Sequence, residues 1–350
     1  MRKIVDTRTG KIIIDKDLNL EYLYVGDYGK ENNIKADFLG YSKRIDSVEH
    51  KPVDLEEKMV VTVSSQKGCP MKCDFCDCHK MRFGGNASLF EIVSEITTAI
   101  SLSKIKQGSR LNVHFARMGE PTFNFNVIDA AKIIGDMTAS FSKWYFTEYH
   151  PVVSTMCPKN NNNLEAFLNR WVNLKWINGY SGLQFSINTL DEEQRNKMFN
   201  NMSLSLKEIG ELINKLPRPK NRKYTLNFAV TSESNLDVKL MNKYFDKEKC
   251  IVKITPIHKT YNAVKNGYEI VTDFDVYEKF EQPLVKDGWD VIVFLPSKEE
   301  DEDRITCGNG LIATTLESET EEIKHHFYLA DKNGKAATIK KSNLELKKGK

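Results

Sequence analysis

From Met59 to Leu295 short β-rich runs alternate with segments of helical period. The runs are MVVTVSS (59–65), LNVHFA (111–116), PVVST (151–155), LQFSI (183–187), YTLNFAV (224–230), IVKITPI (251–257) and WDVIVFL (289–295). Between them lie SLFEIVSEITTAISLSK (88–104), NVIDAAKIIGDM (126–137), SLKEIGELINKL (205–216) and DVYEKFEQPLVKD (275–287). Ser88 opens the first of these with Glu91 three residues on, a capping-box pattern. Such alternation implies parallel strands joined by right-handed crossover helices. Six or seven units are too few to close an eightfold barrel, so the spacing predicts a partial barrel open on one side. In parallel α/β folds the chemistry collects at the C-terminal ends of the strands.

Upstream, KIIIDKDLNLEYLYVGDYG reads as strands broken by Asp, Asn and Gly turns. The expected division is an N-terminal β-rich extension over 1–58, a barrel over 59–312 and a polar, Lys-rich extension over 313–350. With 40% hydrophobic and 28% charged residues, the composition is that of a soluble globular protein. The N-terminal MRKIVDTRTGKIIIDKD lacks the apolar run of a signal peptide, and no membrane span follows, so a cytoplasmic location is expected. A net charge of +3 permits a polyanionic partner without demanding one. The acidic run EEDED (299–303) and the basic RPKNRK (218–223) read as solvated loops.

Four of the seven cysteines fall within GCPMKCDFCDCHK (68–80), just past the first barrel strand and so at the expected active face. In a reducing compartment such bunching suits a metal or catalytic role better than disulfides. The spacing is Cys69-x3-Cys73-x2-Cys76, followed by Cys78 and His79. A structural zinc site commonly uses two ligand pairs separated by a longer loop, and no second CxxC completes one here. Three cysteines can instead hold three irons of a 4Fe–4S cube. The fourth iron is then open to the amino and carboxylate groups of S-adenosyl-L-methionine (SAM), whose sulfonium a delivered electron cleaves to a radical. A zinc or iron–sulfur module that recognises nucleic acid is the non-enzyme alternative.

The CxxxCxxC arrangement, with aromatic Phe75 before its third cysteine, resembles the signature of the radical SAM superfamily. ARMGEPTFN (116–124) resembles that superfamily's glycine–glutamate strand end, which implies that Gly119 admits the ligand closely and Glu120 accepts from the SAM amino group. Over about Met59 to Leu311, scattered motifs are similar to the RNA adenine methyl synthases of the RlmN/Cfr family. They are VSSQKGCPMKCDFC, RMGEPTFNFN, VVSTMCP, LQFSINTLDEEQR and CGNGL (307–311).

This resemblance implies a radical SAM partial (β/α)6 barrel with Cys69, Cys73 and Cys76 as cluster ligands. It places Gly119, Glu120, Ser154, Ser186 and Asn188 in the SAM site. It also implies a methyltransferase acting on an adenine-type carbon in RNA or another nucleic acid. Cys307 matches the cysteine that carries the methyl group, and a thiolate there would be the nucleophile of the first step. Glu49 falls where the family has a glutamate proposed to take the substrate's proton. The position of the resolving cysteine holds Thr62, a poor nucleophile, which leaves Cys78 and Cys157 as candidate thiols and Cys250 as core. Lys253 replaces an asparagine at the adenosyl end of the SAM pocket. A reductase such as flavodoxin or ferredoxin is implied as electron donor. The alternative enzyme reading is a radical SAM enzyme that transforms a nucleotide or small molecule differently.

Overall fold

The computed structural model describes residues 2–26, 54–140, 143–174, 180–271, 275–296 and 298–310. Their ten strands form one sheet in chain order. Strands β1 (Arg2–Asp6), β2 (Gly10–Asp15) and β3 (Leu20–Val25) are antiparallel, and β3 pairs antiparallel with β4 (Lys58–Thr62). From there the sheet turns parallel: β5 (Gln107–Phe115), β6 (Tyr145–Thr155), β7 (Gly182–Ser186), β8 (Tyr224–Val230), β9 (Cys250–Pro256) and β10 (Val291–Val293). The partial α/β barrel expected from the alternation is therefore present, with the short β10 added beyond six strand–helix units.

Alternation along each strand separates two environments. On β5, Leu111, Val113 and Phe115 are fully buried, while Arg110, Asn112 and His114 between them are half-buried and face the concave interior. The apolar set packs with Ile92, Ile96, Ala99 and Ile100 of α1 (Leu89–Ser103) and with Val127, Ala131 and Ile134 of α2 (Asn126–Ser140). Helix α1 begins where Ser88 and Glu91 satisfy each other's backbone N–H groups, as the capping-box pattern predicts. The crossovers also use α3 (Leu164–Val172), α4 (Glu192–Met198), α5 (Leu206–Lys215), α6 (Val238–Tyr244) and α7 (Tyr261–Lys265). No helix among the described residues is long and apolar enough to cross a membrane.

Two stretches expected as solvated loops behave otherwise. The acidic run belongs to a short helix, Lys298–Glu302, whose end is pinned. Arg8 pairs with Glu302 at 2.7 Å, and His258 contacts Asp301 at 3.1 Å. In the basic run Arg222 turns into the barrel, where its Nη1 would lie 2.7 Å from a Cβ added at Gly182.

Candidate active site

The cluster loop leaves β4 and is held from both sides. The carbonyl of Phe75 accepts from Thr260 Oγ1, and that of Cys76 accepts from Asn262 Nδ2 at 2.7 Å. The Asp77 carboxylate accepts from the backbone N–H groups of Tyr261 and Asn262 at 3.2 and 3.0 Å. Asp74 accepts from Asn266 Nδ2 at 2.8 Å and the Tyr268 hydroxyl at 3.0 Å. Segment 260–268 thus fastens the loop, although nothing in its sequence advertises that role.

A buried guanidinium joins three parts of the chain. Arg117, at the end of β5, donates from Nε to Glu21 Oε1 at 2.7 Å and from Nη2 to the same oxygen. It also donates to the carbonyls of Arg304 and Thr306, at 3.1 and 3.4 Å. This pair, 1% and 0% exposed, ties the N-terminal strands and the Cys307 segment to the same strand end. The Asp77 N–H then donates to the Gly308 carbonyl at 3.0 Å, and that oxygen lies 3.8 Å from Cys76 Sγ. Cys307 is thereby brought beside the cluster loop, with its surface exposed and its Sγ 4.0 Å from the Ala116 carbonyl.

The thiols occupy one electrostatic neighbourhood. Burial raises Cys69 to about 12, with the Cys76 charge adding to it. Burial likewise raises Cys73 well above its ordinary value, followed by the charges of Cys76 and Cys69. Cys76 is lowered, first by a side-chain hydrogen bond from Cys78 and against its burial. Cys78 itself is buried with Met81, Met118 and Ile305, and its Sγ lies 3.3 Å from the Arg117 carbonyl. Burial is also the first cause raising Cys307, and the charge of Cys76 adds to it; Lys253 and Arg117 act in the opposite direction. Cys157 and Cys250 are buried, and burial raises both.

The expected SAM residues sit at successive strand ends. Gly119 has φ +96°, and a Cβ there would come within 2.6 Å of Gln66 Cβ, so the turn admits only glycine without displacement. Glu120 is buried, which raises its carboxyl. Its Oε1 accepts from Thr122 Oγ1 at 2.7 Å and its Oε2 from the Met156 N–H at 3.1 Å. Ser154 and Ser186 lie half-buried on the inward faces of β6 and β7. Asn188, with φ +65°, accepts from the Ala229 N–H at 3.1 Å, while its buried Nδ2 has no partner. Glu49 lies outside the described residues. Thr62 closes β4 opposite His114, at the active rim.

Two buried groups fit the cofactors expected from the sequence resemblance. Arg195 is 1% exposed and donates to the Ser186 carbonyl and Ser203 Oγ, but its Nε and Nη1 have no partner. Burial lowers it to about 10, against the charges of Cys157, Glu192 and Cys73, and the two unpartnered nitrogens remain as donors. The Asn188 amide is a spare donor next to Ser186. Among the described residues no three His, Cys, Asp or Glu side chains converge on a point that would hold a single ion.

No family model matches the chain. Similar curated proteins include the probable dual-specificity RNA methyltransferase RlmN of Thermosipho melanesiensis, 42% identical over 80 residues, or 23% of each chain. The dual-specificity RNA methyltransferase RlmN of Buchnera aphidicola is 34% identical over 132 residues, 35% of this chain and 36% of that protein. The Wolinella succinogenes protein of the same name is 25% identical over 232 residues, 65% of this chain and 57% of its own. The chain therefore spans less than two thirds of each of these relatives. Among solved structures, a radical SAM methyltransferase from Sphaerobacter thermophilus superposes with a TM-score of 0.59 at 18% identity, covering 88% of this chain and 80% of that one. At that identity the likeness concerns the fold. Stretches of this chain are thus similar in sequence to proteins named RlmN, and its fold resembles that of a radical SAM methyltransferase.

Proposed function

We propose that the protein is a radical SAM methyltransferase acting on an adenine-type carbon in RNA, with Cys307 carrying the methyl group. The observation that carries this reading is the Gly308 carbonyl 3.8 Å from Cys76 Sγ, which sets the exposed Cys307 beside the cluster loop. The names of the sequence relatives support the reaction and the substrate class. The protein would work in the cytoplasm, with a reductase such as flavodoxin or ferredoxin as electron donor.

In this reading Cys69, Cys73 and Cys76 hold the 4Fe–4S cluster, and Gly119, Glu120, Ser154, Ser186 and Asn188 hold SAM. Together these cofactors supply the one-electron chemistry that activates a methyl C–H bond. Cys307 would act first as the thiolate that takes the methyl group, the sulfonium S–CH3 bond breaking and S-adenosylhomocysteine leaving, and Lys253 and Arg117 favour that thiolate against burial. Glu120 presents its carboxylate to the SAM amino group. Cys78, whose thiol lies 3.3 Å from the Arg117 carbonyl, is the candidate resolving thiol in place of Thr62. Glu49 accepts the proton from the substrate carbon.

A second reading, another transformation of a nucleotide, is favoured by one observation. Thr62 stands at the resolving position, and the remaining thiols of Cys78, Cys157 and Cys250 are buried. Anaerobic reconstitution followed by methyl-labelled SAM and RNA separates the two. Label is expected on the Cys307 peptide and then in RNA, and Cys307→Ala should abolish both. Equal labelling of RNA by Cys307→Ala would overturn the assignment and leave the second reading.

A further inference from the structure

Three basic side chains, each half-buried, line the interior of the barrel. Lys253 lies on the inward face of β9, in register with Asn227 of β8, which in turn pairs with Ser186 of β7. His114 lies on the inward face of β5, beside Thr62. Arg222 precedes β8 and reaches over Gly182, where an added Cβ would lie 2.7 Å from its Nη1 and 3.1 Å from Val152 Cγ2. Gly182 thus leaves the space that the guanidinium occupies. Among the described residues none of the three has a hydrogen-bonded or ion-paired partner. Lys253 only overlies the Phe294 ring, at 5.2 Å.

They share one chamber. After burial, the charges of Lys253 and Arg222 are the leading causes that hold His114 down at about 3. Burial is the first cause lowering Lys253; the charge of Cys307 opposes it, Arg222 adds to it and Glu300 opposes it. Arg110, the other nearby guanidinium, is already engaged with Asn112 at 3.0 Å, His150 at 3.3 Å and Glu148 at 4.0 Å. Holding two half-buried cations close together without protein partners is costly, and a ligand that supplies the countercharge relieves that cost.

We infer that the barrel interior binds a phosphomonoester of a nucleotide through Lys253, Arg222 and His114. Two cationic side chains match a dianion, and neutral His114 adds one N–H donor. A phosphodiester, with one charge, would leave a cation unmatched. The inference deepens the RNA reading by naming the group that anchors the substrate, and rests on it only for the identity of the base. The phosphate can belong to a free mononucleotide or to the phosphorylated end of an RNA.

Calorimetric titration of the full chain tests this without turnover, so its failure leaves the Cys307 labelling result untouched. The probes are AMP, adenosine, ApA and 5′-phosphorylated ApA. AMP should bind at least roughly tenfold more tightly than adenosine, and Lys253→Met or Arg222→Gln should each remove about that factor. Gly182→Ala keeps every charge but displaces the guanidinium, and should weaken AMP similarly with an unchanged melting temperature. Lys220→Ala, on the exposed part of the same loop, should change nothing. Tight binding of phosphorylated ApA with weak AMP would assign the site to RNA ends, and the reverse to free nucleotides. Equal binding of AMP and adenosine, or of ApA and its phosphorylated form with unchanged AMP affinity in all three interior variants, would overturn the inference.

Discussion

The rim of the barrel and its interior use polar groups in opposite ways. At the rim, Asp77, Asp74, Thr260, Asn262, Arg117 and Glu21 are bonded within the chain, and each bond fixes the cluster loop or the Cys307 segment. In the interior, Lys253, Arg222 and His114 have no partner among the described residues, and the Asn188 amide keeps a spare donor. Paired groups make a scaffold; unpaired ones are held in readiness for something that arrives. The two regions should therefore respond differently to substitution.

The largest effect is expected at the rim, where cluster binding is all or none. After anaerobic reconstitution the protein should carry about four irons per chain, and Cys73→Ala should fall near background by iron and sulfide assay. Retention of the full complement would remove Cys73 from the ligand set. Next comes Arg117→Met, which strands the Glu21 carboxylate in a fully buried site. Loss of roughly 3–5 kcal/mol in urea denaturation is expected, and adding Glu21→Leu should recover much of it. If the double variant is no better than the single, the pair is not what joins the N-terminal strands to the barrel.

The interior should reveal itself through pH. His114 sits at about 3, held down by burial and then by the charges of Lys253 and Arg222. Above its ordinary value of 6.5 the folded and unfolded chains both carry it neutral, so its contribution is fully present there. As pH falls from 6.5 toward 3 the unfolded chain takes up a proton that the folded chain refuses. Stability is then lost at up to about 1.4 kcal/mol per pH unit. The slope of stability against pH in that window should be shallower in His114→Gln than in the wild type. Equal slopes would mean that His114 does not feel the interior cations.

Much of this scaffold is legible in the sequence, because hydrophobic period and turn residues report local structure. All seven β-rich runs from Met59 onward became strands of the parallel sheet, and Ser88 caps α1 as its spacing predicts. The glycine–glutamate strand end was read from its resemblance to a known motif, and Gly119 there adopts a φ of +96°. The fastening of the site was not readable. Asn262 lies 186 residues from the Cys76 carbonyl it bonds, and Glu21 lies 96 from Arg117. No local pattern encodes such pairs. Arg222 misled for a different reason: in RPKNRK it looks like its exposed neighbours, and only the missing side chain at Gly182 lets it turn inward.

The smallest expected effect is the most discriminating, because its sign differs between the regions. Removing a rim cation strands its partner and destabilises the fold. Removing an interior cation strands nothing, since Lys253 and Arg222 have no described partner to leave behind. Burial already lowers both, Arg222 to about 10, which means the folded chain holds their charge at a cost. Lys253→Met, which keeps the length of the stem, should therefore leave stability unchanged or raise it by about 1 kcal/mol. Chemical denaturation at neutral pH, with no phosphate in the buffer, reads this directly. Adding AMP should then stabilise the wild type and not the variant. A destabilised Lys253→Met would place Lys253 with the scaffold, and the division between a bonded rim and a waiting interior would fail at its central residue.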